Sequence, residues 1–186
     1  MIHDKHNFVI YEEKVFPDLY DDLIKEIKFE DEELIIFGKK CIPKRKTCAF
    51  GDDGKTFSYS GKERKANPYT YTIKKIKDEL EKKTGYTFNY VLAQYYSDGE
   101  AMIGYHGDAI KDMQKPVIIA SVTFNEEKSR TFIIKNDEME KKIKLRDGSL
   151  LLMHGTKIQT EYKHGIPAEK KIKTGRINLT FRQIEN

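Results

Sequence analysis

Arg176-Ile177-Asn178-Leu179-Thr180-Phe181-Arg182 alternates without a break. Side chains two apart on a strand share a face, so Ile177, Leu179 and Phe181 point one way and Arg176, Asn178, Thr180 and Arg182 the other. Two environments satisfy that pattern. In an ordinary half-exposed strand the polar face meets water. In a closed arrangement of several short strands the polar face lines an interior, and two guanidiniums then sit in a partly desolvated pocket where they need anions. Arginine grips carboxylates bidentately, so a dicarboxylic acid chelating a metal would meet that need.

Working back from this stretch, the chain keeps returning to short strands. Phe88 to Tyr96 reads as a strand with Tyr90, Leu92, Gln94 and Tyr96 on one face. Val117 to Phe124, Thr131 to Lys135 and Lys141 to Leu145 are further strands, the last closed by a turn at Arg146-Asp147-Gly148. Ser149 to Met153 is nearly continuous apolar sequence and reads as buried on both faces. Phe8 to Tyr11 is a short strand near the start. Two helices are expected. Pro17 to Phe29 carries Leu19, Leu23, Ile24 and Ile27 at helical spacing. A second starts at Asn67 as N-cap and Pro68 in the first turn, repeats Tyr69, Ile73, Ile76 and Leu80, and stops at Gly85. Many strands after two helices imply a mainly β chain: a β-sandwich or jelly roll with helical support.

Within that frame His106-x-Asp108 stands out. On an extended backbone these two side chains can reach one ion. His164, in a loop beyond the apolar strand, is the best third ligand. Two histidines and one carboxylate leave open positions opposite and favour non-haem Fe(II) chemistry. Taken alone, His-x-Asp is a common tripeptide, and only its partners give it weight.

Composition bounds the partners. The 186 residues fit one domain, with no apolar run of membrane-spanning length and no secretory leader. Cys41 and Cys48 make no disulfide framework, so the expected location is intracellular and reducing. Net charge is +4, unevenly spread: residues 1–33 hold 11 acids and 4 lysines, or −7, which leaves +11 on the remainder. A basic body suits a phosphate backbone, although lysines on a solvated face would look the same. Lys39 to Lys46 carries five cations in eight residues, next to Phe37 at a turn after the β-rich run Leu34 to Phe37. Either this is a solvated turn, or cations fix a nucleic-acid backbone while an apolar wedge enters the base stack. Gly51-Asp52-Asp53-Gly54 is a hairpin signal. The strand Thr56 to Tyr59 follows, closed by Ser60-Gly61. Its Phe57 and Tyr59 are core aromatics or a stacking platform.

These residues together resemble the AlkB-type Fe(II)/2-oxoglutarate dioxygenases, most closely the branch that repairs alkylated duplex DNA. The likeness runs from about Ile35 to Ile184. It rests on His106-x-Asp108 with His164, on Arg176-x-Asn178-x-Thr180-x-Arg182, and on Phe37-Gly38-Lys39, Arg45-Lys46, Phe50-Gly51-Asp52, Phe57-x-Tyr59-Ser60-Gly61 and Ser121-Val122-Thr123-Phe124. The resemblance implies a double-stranded β-helix, with residues 1–33 an acidic extension and helix, 34–66 nucleotide-recognition loops, and 86–186 the catalytic jelly roll. It implies Fe(II) on His106, Asp108 and His164, with O2 and 2-oxoglutarate as co-substrates. Arg182 would take the distal carboxylate of oxoglutarate and Tyr96 a hydrogen bond to it. Arg176 would lie near Asp108, with Gln94, Asn178 and Thr180 completing the wall. Phe37 would enter the stack, with Gly38, Lys39 and Arg45 beside the DNA, and Tyr59 and His106 would sandwich the flipped base with Phe57 at its edge. The implied reaction is oxidative demethylation of 1-methyladenine or 3-methylcytosine in DNA by a monomer, nuclear in a eukaryote and otherwise cytoplasmic. Demethylation of RNA or single strands, a non-catalytic nucleic-acid binder, and a dioxygenase acting on protein or small molecules are the alternatives. Four positions depart from the branch: Gln94 replaces an asparagine, Phe57 a tyrosine, and Ala109 and Ile110 stand where relatives carry acidic residues near the base.

Overall fold

The computed structural model describes residues 4–36, 38–59 and 62–185. The elements are β1 (Phe8–Glu12), α1 (Tyr20–Glu26), β2 (Leu34–Ile36), β3 (Lys39–Cys41), β4 (Lys46–Gly51), β5 (Thr56–Tyr59), β6 (Lys62–Lys65) and α2 (Tyr71–Thr84). They continue with β7 (Tyr90–Tyr96), β8 (Ile103–His106), β9 (Ile118–Asn125), β10 (Arg130–Lys135), β11 (Glu140–Leu145), β12 (Ser149–His154), α3 (Lys157–Thr160), β13 (Lys163–Ile166) and β14 (Arg176–Arg182). A major sheet has the order β1-β12-β9-β14-β7-β4 and a minor sheet the order β11-β10-β13-β8. All their pairings are antiparallel. This is the mainly β jelly roll that the strand pattern implies.

The alternating stretch is β14, near the middle of the major sheet and hydrogen-bonded to β9 and β7. All seven of its residues are buried, so the half-exposed alternative does not hold. Ile177, Leu179 and Phe181 join one apolar cluster with Leu23 and Ile27 near α1 and Ile73, Ile76 and Leu80 of α2. The polar face turns towards the minor sheet. There a second cluster contains Tyr90, Ile119, Leu151 and Met153 from the major sheet and Phe132, Ile134 and Ile143 from the minor one. Strand β12 shows the double burial expected of its apolar run: Leu150 and Leu152 face the helices, Leu151 and Met153 the inter-sheet space.

Several expectations need correction. The second helix starts at Thr70, whose side chain accepts a hydrogen bond from the Ile73 backbone N–H. Asn67 is unavailable as a cap because it bridges Phe50 and donates its side-chain amide to the Ala49 carbonyl. Gly85 does end the helix, at φ 74°, where a left-handed residue closes the last turn. The first helix is shorter than its apolar spacing, Tyr20–Glu26. The major sheet takes in β1 and β4, so the core reaches outside residues 86–186. The basic stretch is not a plain loop throughout: its first residues, Lys39–Cys41, form the second strand of the β2–β3 hairpin. His164 lies on a strand rather than in a loop, because β13 pairs with both β10 and β8.

Candidate active site

His106 ends β8 and His164 faces it across the β8–β13 pair, their ring centroids 4.6 Å apart. Asp108 comes two residues later, beyond the strand. Its approach depends on Gly107, where an added Cβ would stand 2.0 Å from the Gln159 carbonyl oxygen. The Asp108 backbone N–H donates to Gln159 Oε1 at 2.9 Å, which fixes the turn. Asp108 Oδ1 lies 3.6 Å from His106 Nε2, and Oδ2 lies 4.0 Å from His164 Nε2. One ligand atom from each of the three residues falls within 4.8 Å of the others. The His106 Nδ1 is 2.8 Å from the Gly104 carbonyl, which can only accept. That places the proton on Nδ1 and leaves the Nε2 lone pair for a metal.

The electrostatics favour ligand forms. Burial pushes the Asp108 carboxyl up, but Arg182 and the two imidazoles outweigh it and hold the group well below the usual carboxylate range. Burial pushes His164 down to about 4, against the pull of Asp108, so this imidazole is neutral at neutral pH.

The pocket that holds this triad is also lined by both arginines, Gln94, Tyr96, Asn178 and Thr180. Arg176 is wholly buried. Its Nη2 donates to Thr123 Oγ1 at 2.9 Å and to Asn178 Oδ1 at 2.6 Å, and its guanidinium lies 5.0 Å from the Tyr96 ring centroid. Burial lowers its pKa to about 10, so it stays cationic. Its Nε and Nη1 have no hydrogen-bond partner, and no carboxylate forms an ion pair with it among the described residues. A buried cation left so is costly unless an anion joins it. The donor set therefore fits a metal chelated by a carboxylate-bearing co-substrate.

The two arginines exchange the places expected of them. Arg182, expected at the distal carboxylate, has Nη2 3.4 Å from Asp108 Oδ1. Arg176, expected near Asp108, is at the Tyr96 end. Register decides this: Arg176 stands opposite Tyr96 and Arg182 opposite Tyr90, at the two ends of the β7–β14 pair. Gln94 accepts from the Tyr96 hydroxyl at 3.3 Å. Asn178 accepts from Ser121 at 2.9 Å and donates to Thr180 Oγ1 at 2.8 Å. Ser121, Thr123 and Gln159 had no assigned role; the polar alternation of Ser121 and Thr123 inside apolar β9 was the available signal. Gln159 gave none, being brought in by α3.

The expected substrate contacts fare unevenly. Phe57 lines the pocket beneath Arg182, whose guanidinium is 5.1 Å from its ring. Lys39 and Gly38 are exposed at the hairpin tip, Gly38 with φ 74°. Arg45 is not presented to solvent: it is 7% exposed, with Nε lacking a partner. Phe37 and the side chain of Tyr59 lie outside the described residues. The acidic head and the basic segment are in contact, through Lys40–Glu33 at 3.0 Å and Lys46–Asp31 at 3.8 Å. Lys44 also pairs with Glu100.

The model of the 2OG-Fe(II) oxygenase superfamily matches residues 6–182. The chain is 33% identical over 181 residues to DNA oxidative demethylase ALKBH2 of Bos taurus, covering 90% of this chain and 64% of that protein. For the Homo sapiens protein of the same name the values are 33%, 90% and 68%. The chain thus spans about two thirds of the length of these relatives. The solved structure of OsALKBH1 superposes with a TM-score of 0.54 at 18% identity, covering 94% of this chain and 97% of that one, which shows the fold. No helix among the described residues is long and apolar enough to cross a membrane. The chain belongs to the 2OG-Fe(II) oxygenase superfamily as an AlkB-type dioxygenase, and its cofactors are Fe(II), 2-oxoglutarate and O2.

Proposed function

We propose that this chain removes alkyl groups from DNA bases by oxidation, with the damaged base turned out of a duplex into the pocket between the sheets. The observation that carries the reading is the His106–Asp108–His164 cluster sharing a pocket with Arg176, a buried cation with no carboxylate paired to it among the described residues. The relatives named DNA oxidative demethylase supply the substrate class. When bound, Fe(II), oxoglutarate and O2 supply hydroxylation of an N-alkyl carbon, which then leaves as an aldehyde and restores the base.

The residues of the chain do the rest. His106, His164 and Asp108 hold the metal. Arg182 keeps Asp108 ionised and pinned. Arg176 receives the distal carboxylate of oxoglutarate, with Tyr96 and Gln94 at its side and Asn178 and Thr180 as a hydrogen-bonded wall. Phe57, Phe132, Met153 and Ile166 keep the pocket dry. A methyl on adenine N1 or cytosine N3 is hidden in a duplex, so the base must leave the stack. Phe37 fills the gap, Tyr59 and His106 hold the base, and Gly38 and Lys39 lie along the backbone. The reading includes a single domain over 1–186, a monomer, and an intracellular site, nuclear in a eukaryote.

A second reading, single-stranded DNA or RNA as substrate, is favoured by one observation. Arg45 is buried and Lys40, Lys44 and Lys46 are paired with acids, so fewer cations face a duplex. Formaldehyde release from matched methylated duplex, single-strand and RNA oligonucleotides separates the two. Phe37→Ala should cut duplex turnover about tenfold or more and single-strand turnover little, since the wedge matters only where a stack must be opened. Equal losses would favour the second reading.

A further inference from the structure

Arg130, the first residue of β10, is 1% exposed and among the largest fully buried side chains in the protein. It lies outside the lining of the pocket. Its Nη1 donates to the Asp98 carbonyl at 2.9 Å, and its Nη2 to the carbonyls of Ala101 and Pro167, each at 2.8 Å. Its guanidinium is 5.9 Å from the Tyr96 ring centroid, and Arg176 lies 5.0 Å from the same centroid.

Those acceptors are not scattered. Asp98 and Ala101 belong to the link between β7, which ends at Tyr96, and β8, which carries His106. Pro167 follows β13, which carries His164. One guanidinium therefore ties the end of the Tyr96 strand to the strands of both histidines. Glu169 reinforces the knot. Its carboxylate accepts from the Thr131 backbone N–H at 2.7 Å, the Thr131 hydroxyl at 2.9 Å and Lys144 Nζ at 2.8 Å, and lies 3.4 Å from Arg130 Nε. The Glu169 N–H donates to the Gly99 carbonyl at 2.7 Å. Gly99 has no room for a side chain, since a Cβ there would be 2.0 Å from the Glu169 carbonyl oxygen. The two links are hydrogen-bonded to each other with no space for a side chain between them.

Elsewhere the β8–β13 pair is loosely specified. Only His106–His164 and Ile103–Ile166 are in register, with an irregularity between them. The ladder alone does not fix where the metal ligands stand relative to the major sheet. We infer that Arg130 is a positioning residue that sets the separation between the two histidine ligands on the minor sheet and the Tyr96–Arg176 seat for the distal carboxylate on the major sheet. A chelating dicarboxylate must span both, so its affinity depends on that spacing more than the affinity of the metal alone does. The inference rests on Arg176 being that seat.

The test uses full-length protein loaded with Mn(II) as a redox-inert metal. Mn(II) and oxoglutarate affinities are measured by calorimetry for wild type, Arg130→Met, Arg130→Lys and Arg176→Met, with KM and kcat for oxoglutarate on the Fe(II) enzyme. Arg130→Met should raise the oxoglutarate Kd about tenfold while the Mn(II) Kd changes by less than about threefold. KM should rise more than kcat falls. Arg130→Lys, which keeps the charge but cannot reach three carbonyls at once, should lie between. If Arg130→Met does not fold, Arg130→Lys carries the same comparison. An oxoglutarate Kd unchanged in the Arg130 variants, with only the melting temperature lowered, would make Arg130 a strut and overturn the inference. So would equal losses of metal and oxoglutarate affinity. If Arg176→Met leaves the oxoglutarate Kd unchanged, the seat is wrong and the inference falls with it.

Discussion

His164 faces His106 from a buried strand, and that burial has a pH signature. Its pKa is pushed down to about 4, whereas an unfolded histidine titrates near 6.5. Between those values the unfolded chain binds more protons, so stability falls as the pH drops through the window. Asp108 acts in the same direction lower down, because its folded pKa lies below 3.8 and its contribution is lost as pH falls further. The urea midpoint of metal-free protein should therefore decline from pH 6.5 to 4. His164→Gln should flatten that decline relative to wild type; an identical slope in the variant would show that His164 titrates normally. At this scale residue types pick out His106, Asp108 and His164, which the fold brings within 4.8 Å of one another, because ligand chemistry is written in residue types. They do not show that Arg182 rather than Arg176 stands beside Asp108, because which end of a strand meets Asp108 is set by register with β7 and by the turn at Gly107, and neither is visible in a local pattern.

Strand β14 was legible as an element: strict alternation gives the faces, and the count of short strands around it suggests an interior for the polar one. Double burial of β12 was legible from the opposite pattern, its nearly continuous apolar run. What local sequence did not show was competition for backbone. Asn67-Pro68 has the residue types of a helix start, yet β4 and the Phe50 bridge claim Asn67, and the helix waits for Thr70. Strands β1 and β4 likewise enter the major sheet through partners far along the chain. The cap assignment is testable. Thr70→Ala should cost about 1 kcal/mol in chemical denaturation, the usual value of an N-cap hydroxyl. A change near zero would mean that Glu26, which accepts from the Thr72 N–H and hydroxyl, suffices to hold the first turn.

Across the whole molecule, charge is arranged differently from what the sequence halves suggest. An acidic head and a basic body look like separate regions, but the end of the head lies against the basic segment: Glu33 pairs with Lys40, Asp31 with Lys46, and Glu30 bridges Thr47. These pairs are exposed and contribute little to stability. Their effect is on the potential met by an approaching phosphate backbone. Asp31→Asn with Glu33→Gln should strengthen binding to undamaged duplex several-fold at low salt, and the gain should shrink as salt rises, read by fluorescence anisotropy. No gain at low salt would place the DNA path away from β2–β3.

The most direct test of the proposed chemistry follows a single methyl group. Protein loaded anaerobically with Fe(II) and 2-oxoglutarate is mixed with air and a duplex holding one 1-methyladenine, and the strand is weighed by mass spectrometry. The expected result is loss of one methyl that requires both Fe(II) and oxoglutarate and disappears in His106→Ala. Consumption of oxoglutarate with the methyl retained would contradict the substrate assignment and turn attention to Ala109 and Ile110 beside the metal ligand. Retention of both methyl and oxoglutarate in properly metallated protein would contradict the catalytic reading itself.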